Sequence, residues 1–227
     1  MGKDLNAALL FVIGDFQITV TVATTWGIMA VLGLISWVAT RRQDPHPGFL
    51  QTIAEGVVSV LEEAIAQAAP QHARQLLPFI ATLWIYLVVA NLVGLIPGLD
   101  SPTRDLSQTS ALAILVFFSV HWFGIRSQGI NNYLRHYLTP SPVLLPFHLL
   151  SEATRTIALA IRLFGNMMSL EMAALLVLML AGFLAPVPLL ILHVIEALVQ
   201  AYIFGMLALI YVAGGMQAQE LRQQPHD

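Results

Sequence analysis

The chain has 227 residues, 57% of them apolar and 10% charged, with a net charge of −3 and no cysteine. Soluble domains carry roughly a quarter charged residues, so this deficit, with a mean hydropathy of +0.76, makes the bilayer the main solvent. Disulfides and thiolate metal sites are excluded, and a chain whose lone lysine is Lys3 has no basic stripe for nucleic acid.

The first residues carry Asp4, Asn6 and Asp15, too polar a start for a cleaved signal peptide. A helical span needs about 20 mostly apolar residues. Ile18 to Ala39 meets that need without a charge. Residues 49–69 differ: Ile53, Val57, Val60, Leu61, Ala64, Ile65 and Ala68 fall on one helical stripe, with Glu55, Glu62 and Glu63 opposite. That pattern predicts an amphipathic surface helix, anionic and suited to protein partners as well as lipid. Leu76 to Leu99 is a second span, broken only by Asn91 and Pro97, and Thr109 to Ile125 is a shorter third containing His121.

No proline lies between Pro146 and Pro186, so a continuous helix over 147–184 would be about 57 Å long at about 1.5 Å per residue. A hydrocarbon core is about 30 Å thick, so this helix must tilt strongly or run partly along the surface. Pro186 and Pro188 then break the chain, and a last helix over 187–215 returns as a hairpin. The expected fold is an all-α integral membrane domain over 1–227, with about five membrane helices and one surface helix. The absence of an internal repeat gives no support to an inverted-repeat transporter.

Basic loops set the expected orientation. Arg41, Arg42 and Arg74 follow the first span, and Arg126 and Arg135 follow the third. Both loops are read as cytoplasmic. The 100–108 loop, with Arg104 against Asp100 and Asp105, is read as outward. The N-terminus is then outside and the C-terminus inside.

Three charges interrupt the apolar runs: Arg162, Glu171 and Glu196. Each costs roughly 2.5–3.5 kcal/mol at a helix centre, a burden that points to function. Arg162 and Asn166 share a face, while Glu171 lies about 13 Å further along and on the opposite side. In the last helix His193, Glu196 and Gln200 form one polar stripe. Antiparallel packing would let Glu171, His193 and Glu196 line one aqueous path, and would let Gln200 meet Arg162. Plainer readings stand beside these. Arg162 could be a structural cation paired with Glu196. Asn91 and Gln200 suit ordinary inter-helix hydrogen bonds. His121 reads as a helix-contact residue, and Glu152 with Arg155 as an interfacial i,i+3 pair.

The run Ile161-Arg162-Leu163-Phe164-Gly165-Asn166-Met167 resembles the signature of subunit a of F-type ATP synthases. Leu198-Val199-Gln200-Ala201-Tyr202-Ile203-Phe204 resembles that family's last-helix glutamine motif. Glu171, nine residues after the arginine, and His193, seven before the glutamine, stand where the family often has polar or ionisable groups. Ala90-Asn91-Leu92-Val93-Gly94 and Asp105-Leu106-Ser107 resemble the end of its second helix and the start of its third. The similarity runs from about residue 49 to 212. Departures are Thr156 where proline is frequent, Ala158 and Ala160 in place of small hydroxyl residues, and the extra carboxylate of Glu196.

The resemblance implies an ion-translocating stator subunit in a bacterial plasma membrane, carrying protons or sodium. Its partners would be a ring of c subunits, b-type stalk subunits and the rest of the F1Fo complex. Arg162 would be the essential arginine facing the ring, supported by Asn166 and Gln200. Glu171, His193 and Glu196 would line the outer half channel, with Asn91 and Asp105 near its mouth. The inner half channel is not legible. No phosphate loop is present, so ATP chemistry is expected in a separate soluble sector, and neither cofactor nor metal is expected here. A secondary ion transporter and a purely structural membrane scaffold are the competing classes.

Overall fold

The computed structural model describes residues 9–13, 16–41, 48–96, 99, 101–129, 145–182 and 187–223. A short antiparallel hairpin, β1 (Leu9–Ile13) and β2 (Phe16–Thr19), leads into α1 (Val20–Arg41). Then follow α2 (Phe49–Ala68), α3 (Ala73–Val93), a 3₁₀ turn at Pro102–Arg104 and α4 (Leu106–Gln128). Two 37-residue helices, α5 (Leu145–Ala181) and α6 (Val187–Gln223), close the chain. Of these, α1, α3, α4, α5 and α6 are long and apolar enough to cross a membrane.

The all-α membrane fold holds, with local corrections. The first helix starts at Val20, because Ile18 is taken up by the strand pairing with Phe11. The second span is helical only to Val93, where the chain turns through Gly94 and Leu95 instead of reaching Leu99. The third is longer than expected, since Asp105 caps it by accepting from the Ser107 amide at 2.9 Å. A carboxylate there satisfies a free amide at the positive end of the helix dipole. The long helix ends one step before Gly182, whose φ of 82° is the left-handed conformation that glycine tolerates. Pro188 lies in the first turn of α6, where a missing amide hydrogen costs nothing. It opens that helix and does not break one. The polar start (Asp4, Asn6, Asp15), the basic residues Arg42 and Arg135, and Pro97, Asp100 and Pro186 lie outside the described residues.

The core is built by α3, α4 and α6, with α5 laid across α4 and α6. Leu76, Ile80, Leu87 and Ala90 of α3 meet Phe204, Ala208, Leu209 and Val212 of α6. Val116 and Val120 of α4 and Leu159 and Leu163 of α5 complete the cluster. Only the second half of α2 joins it: Ile65 and Ala69 are fully buried, while Phe49, Ile53 and Val57 stay exposed.

One close approach fixes the register of α3 on α6. The Trp84 ring stacks on the Tyr202 ring, with centroids 6.0 Å apart, and its Nε1 donates to the Tyr202 carbonyl at 3.3 Å. A Cβ at Gly205 would collide with Trp84 Nε1, so the indole occupies the space a side chain would need. Gly205→Ala is expected to destabilise the helix packing by about 1–3 kcal/mol, the range for overpacked cores. A lower thermal midpoint of the detergent-solubilised protein, partly restored by adding Trp84→Phe, checks this.

Candidate functional site

Arg162 projects from the exposed face of α5. Ile157, Ala158, Ile161, Gly165, Met168 and Ser169 share that uncovered stripe. Among the described residues, no ion pair joins Arg162 to Glu196, so the structural-pair reading is not what the fold builds. Behind the arginine, Asn166 Nδ2 donates to Gln200 Oε1 at 2.7 Å, tying α5 to α6. Gln200 is 2% exposed, and its Nε2 is a buried donor with no protein acceptor among the described residues. Gln200 thus reaches the arginine's turn of α5 through Asn166 and not directly.

Glu171 faces the other way, as its nine-residue offset predicts. Its carboxylate pairs with the Arg104 guanidinium, carried in by the 3₁₀ turn. Both line a cavity of about 90 Å³ with Ser101, Met167, Leu190 and His193. His193 Nε2 is buried and has no protein partner among the described residues. The cavity has the volume and the polar groups that water needs. Glu196 is half-buried one turn further along α6. Sequence reasoning misses Arg104, because its loop neighbours Asp100 and Asp105 balance it. The available signal is that a carboxylate inside an apolar helix demands a cation.

The other two mouth candidates are engaged structurally. Asp105 is the cap of α4. Asn91 is fully buried: its Nδ2 donates to the Ala197 carbonyl at 3.1 Å and its Oδ1 accepts from Thr103 Oγ1 at 2.8 Å. Ser101 Oγ continues the network, 2.8 Å from Thr103 Oγ1 and donating to the Ala90 carbonyl at 2.8 Å. These bonds hold the 3₁₀ turn, and with it Arg104, against α3 and α6.

A second polar cluster has no counterpart among the sequence expectations. His121 of α4 lies 3.7 Å from Glu152 of α5 through Nε2, while its Nδ1 is 2.9 Å from the Phe117 carbonyl. Bonding to that carbonyl requires Nδ1 to carry hydrogen. The expected Glu152–Arg155 pair is replaced: Glu152 turns to α4, and the Arg155 guanidinium lies over the Tyr211 ring, 5.5 Å from its centroid. Glu152, Arg155, Thr156 and Tyr211 line a small cavity of about 40 Å³. His121 and Glu152 are 31 residues apart in sequence, so only the α4–α5 packing brings them together. Among the described residues, no three His, Asp or Glu side chains gather to hold a metal ion.

Residues 22–213 match the family model described as ATP synthase A chain. The chain is 66% identical over 217 residues to "ATP synthase subunit a 1" of Hahella chejuensis, covering 96% of this chain and 92% of that protein. It is 60% identical to "ATP synthase subunit a 2" of Pelobacter propionicus, over 96% of both chains. It is 57% identical to "ATP synthase subunit a" of Legionella pneumophila, over 99% of this chain and 98% of the relative.

Asn91→Leu separates a structural from a path role. It removes the bond from Thr103 and the cross-helix bond to the Ala197 carbonyl, at an expected cost of about 1–3 kcal/mol. A lowered melting midpoint is expected. Slower ion flux with an unchanged midpoint would make Asn91 a path residue instead.

Proposed function

The chain belongs to the ATP synthase A chain family, the subunit a of the Fo membrane sector, and from that premise we propose that it is the ion-conducting stator against which a ring of c subunits turns. The observation that carries this reading is the setting of Arg162. It is a permanent cation on an otherwise apolar and exposed helix face. The two polar clusters stand on either side of it along α5. Glu171 is nine residues beyond, about 13 Å along the axis, and Glu152 ten residues before, about 15 Å.

An ion cannot cross dry hydrocarbon, so it is handed to a carboxylate on the moving ring. The clusters around Glu171 and Glu152 differ in their groups but serve the same end. The cavity of Arg104, Glu171 and His193, continued by Glu196, supplies the outer vestibule. The cavity of Glu152, Arg155, Thr156 and Tyr211, with His121 beside Glu152, supplies the inner one. Arg162 draws each arriving ring carboxylate into its ionised form and so expels the bound ion. The same charge repels cations and blocks a direct leak between vestibules. Asn166 and Gln200 brace that turn from behind. Small residues flanking Arg162 (Ala158, Gly165 and Ser169) let a neighbouring helix come close.

Rotation couples this flow to ATP synthesis or hydrolysis in the soluble sector. The b-type stalk holds the chain still. It sits in the bacterial plasma membrane with its N-terminus outside and its C-terminus in the cytoplasm. Protons or sodium are the translocated ions.

In the reconstituted F1Fo complex, Arg162→Ala is expected to reduce ion-driven ATP synthesis to background while the ring still co-purifies. Coupled synthesis at a wild-type rate would overturn the assignment. Glu152→Gln is expected to slow transport with ion supplied from the cytoplasmic face. Flux unchanged from that face would remove the Glu152–Arg155 cavity from the path.

A further inference from the structure

Resting on the outer-vestibule reading above, we infer that Arg104 is the resident cation of that vestibule, occupying Glu171 at rest and yielding it to each translocated ion. Three observations meet here. The guanidinium pairs directly with the Glu171 carboxylate. The pair lines the wall of the 90 Å³ cavity that also contains His193. And the two side chains are 39% and 35% exposed, so the contact is open enough for water or an ion to reach it.

The physical consequence is competition. The guanidinium occupies the carboxylate oxygen through a charge-assisted hydrogen bond, and a cation that would bind there must displace it. Arg104 is permanently charged, so it cannot step aside by losing a proton and has to swing away. Its anchor allows that motion. Arg104 sits at the end of a three-residue 3₁₀ turn, while Ser101 and Thr103 of the same segment are pinned by the Asn91 network. The backbone is fixed and the long side chain is the moving part. Among the described residues, few other ionisable groups stand near Glu171. The 3₁₀ turn brings Arg104, followed by Asp105, which is occupied as the α4 cap. From α6 come His193 in the same cavity and Glu196 one turn on. The end of α3 contributes Gly94 and Leu95, without charge.

Arg104 is therefore a specificity-setting residue and not a carrier. It tunes how much ion the outer face must supply before the vestibule fills, and it keeps the vestibule from holding a cation between ring passages.

The test uses the intact F1Fo complex in liposomes, with transport followed against ion activity on the face opposite the soluble sector. External pH is stepped in sodium-free buffer and, separately, external sodium at fixed pH. For the ion that drives transport, Arg104→Gln should lower the half-saturating activity about two- to fivefold, the range a half-exposed pair supports. For protons this means a profile moved toward higher pH. The maximal rate should not rise, and dependence on the opposite face should stay as in the wild type. Arg104→Lys keeps the charge without the planar fork and should move the profile the same way by less. It decides the matter if Arg104→Gln fails to assemble with the ring. A profile that superimposes on the wild type overturns the inference. Glu171→Gln separates this from failure of the underlying reading: slowed transport there with an unmoved Arg104→Gln profile removes the competition alone. Wild-type transport by Glu171→Gln removes the outer vestibule and Arg104's role with it.

Discussion

A charge inside an apolar helix must find a partner or water, and the hairpin of α5 and α6 is arranged around that demand. At a helix centre the cost is roughly 2.5–3.5 kcal/mol per ionised side chain. Glu171 lowers it with Arg104 and Arg155 with the face of Tyr211, while Glu152 turns to His121. All three turn toward the chain's own helices. Arg162 turns outward instead, onto a face whose neighbours are Ile157, Ile161 and Met168. Within a single subunit that orientation is unfavourable. It becomes favourable once a carboxylate-bearing partner lies against the face. That orientation is what the proposed contact with the ring would complete.

Neutral polar groups carry the precision that the charges require. Asn91 spans from α3 to the α6 backbone and to the 3₁₀ turn, tying three segments through one buried side chain. Trp84 adds a steric key, with Gly205 as the space it enters. In lipid the hydrophobic effect does little to press helices together, so close packing and inter-helix hydrogen bonds set the register. The register of α6 on α3 decides where His193 stands. The anchored turn decides where Arg104 stands. Positioning of this cavity therefore depends on Asn91, Trp84 and Gly205, none of which lines it.

How much of this is legible in the sequence follows from the range of each signal. Spans, the amphipathic helix and the opposite facing of Arg162 and Glu171 are consequences of helical periodicity, and periodicity is local. The glycine at 182 and the cap at Asp105 are also local, though only the backbone conformation tells which of several turn residues ends a helix. The β hairpin before Val20 reads as part of a span, since Ile18 is as apolar as any helix residue. Pairings between distant segments are legible only where the hairpin of the last two helices brings them together, as for Glu171 with His193. Nothing near Arg104 in sequence names Glu171, 67 residues away, and nothing near His121 names Glu152. The rule that buried charges are matched says that partners exist. It does not choose them, and Glu152 with Arg155 at i,i+3 is the nearest choice and not the one the fold makes.

The phases along α5 explain why one helix can serve both sides of a membrane without joining them. Counting from Arg162 at about 100° per residue, Glu171 lies about 180° round the axis and Glu152 about 80° round it. Both carboxylates thus leave the exposed face, one toward the 3₁₀ turn and α6, the other toward α4. Their axial offsets have opposite signs, so the wetted regions lie nearer opposite ends of the helix. The segment between them buries Leu159, Ala160, Leu163 and Met167, an apolar plug where the two cavities would otherwise meet. Water can then approach from either end inside the subunit, but the route between the ends passes over the outer face, where Arg162 stands. On the proposed reading, a path broken inside the subunit and continued across its surface needs a moving carrier there, the part a rotating ring of carboxylates would play.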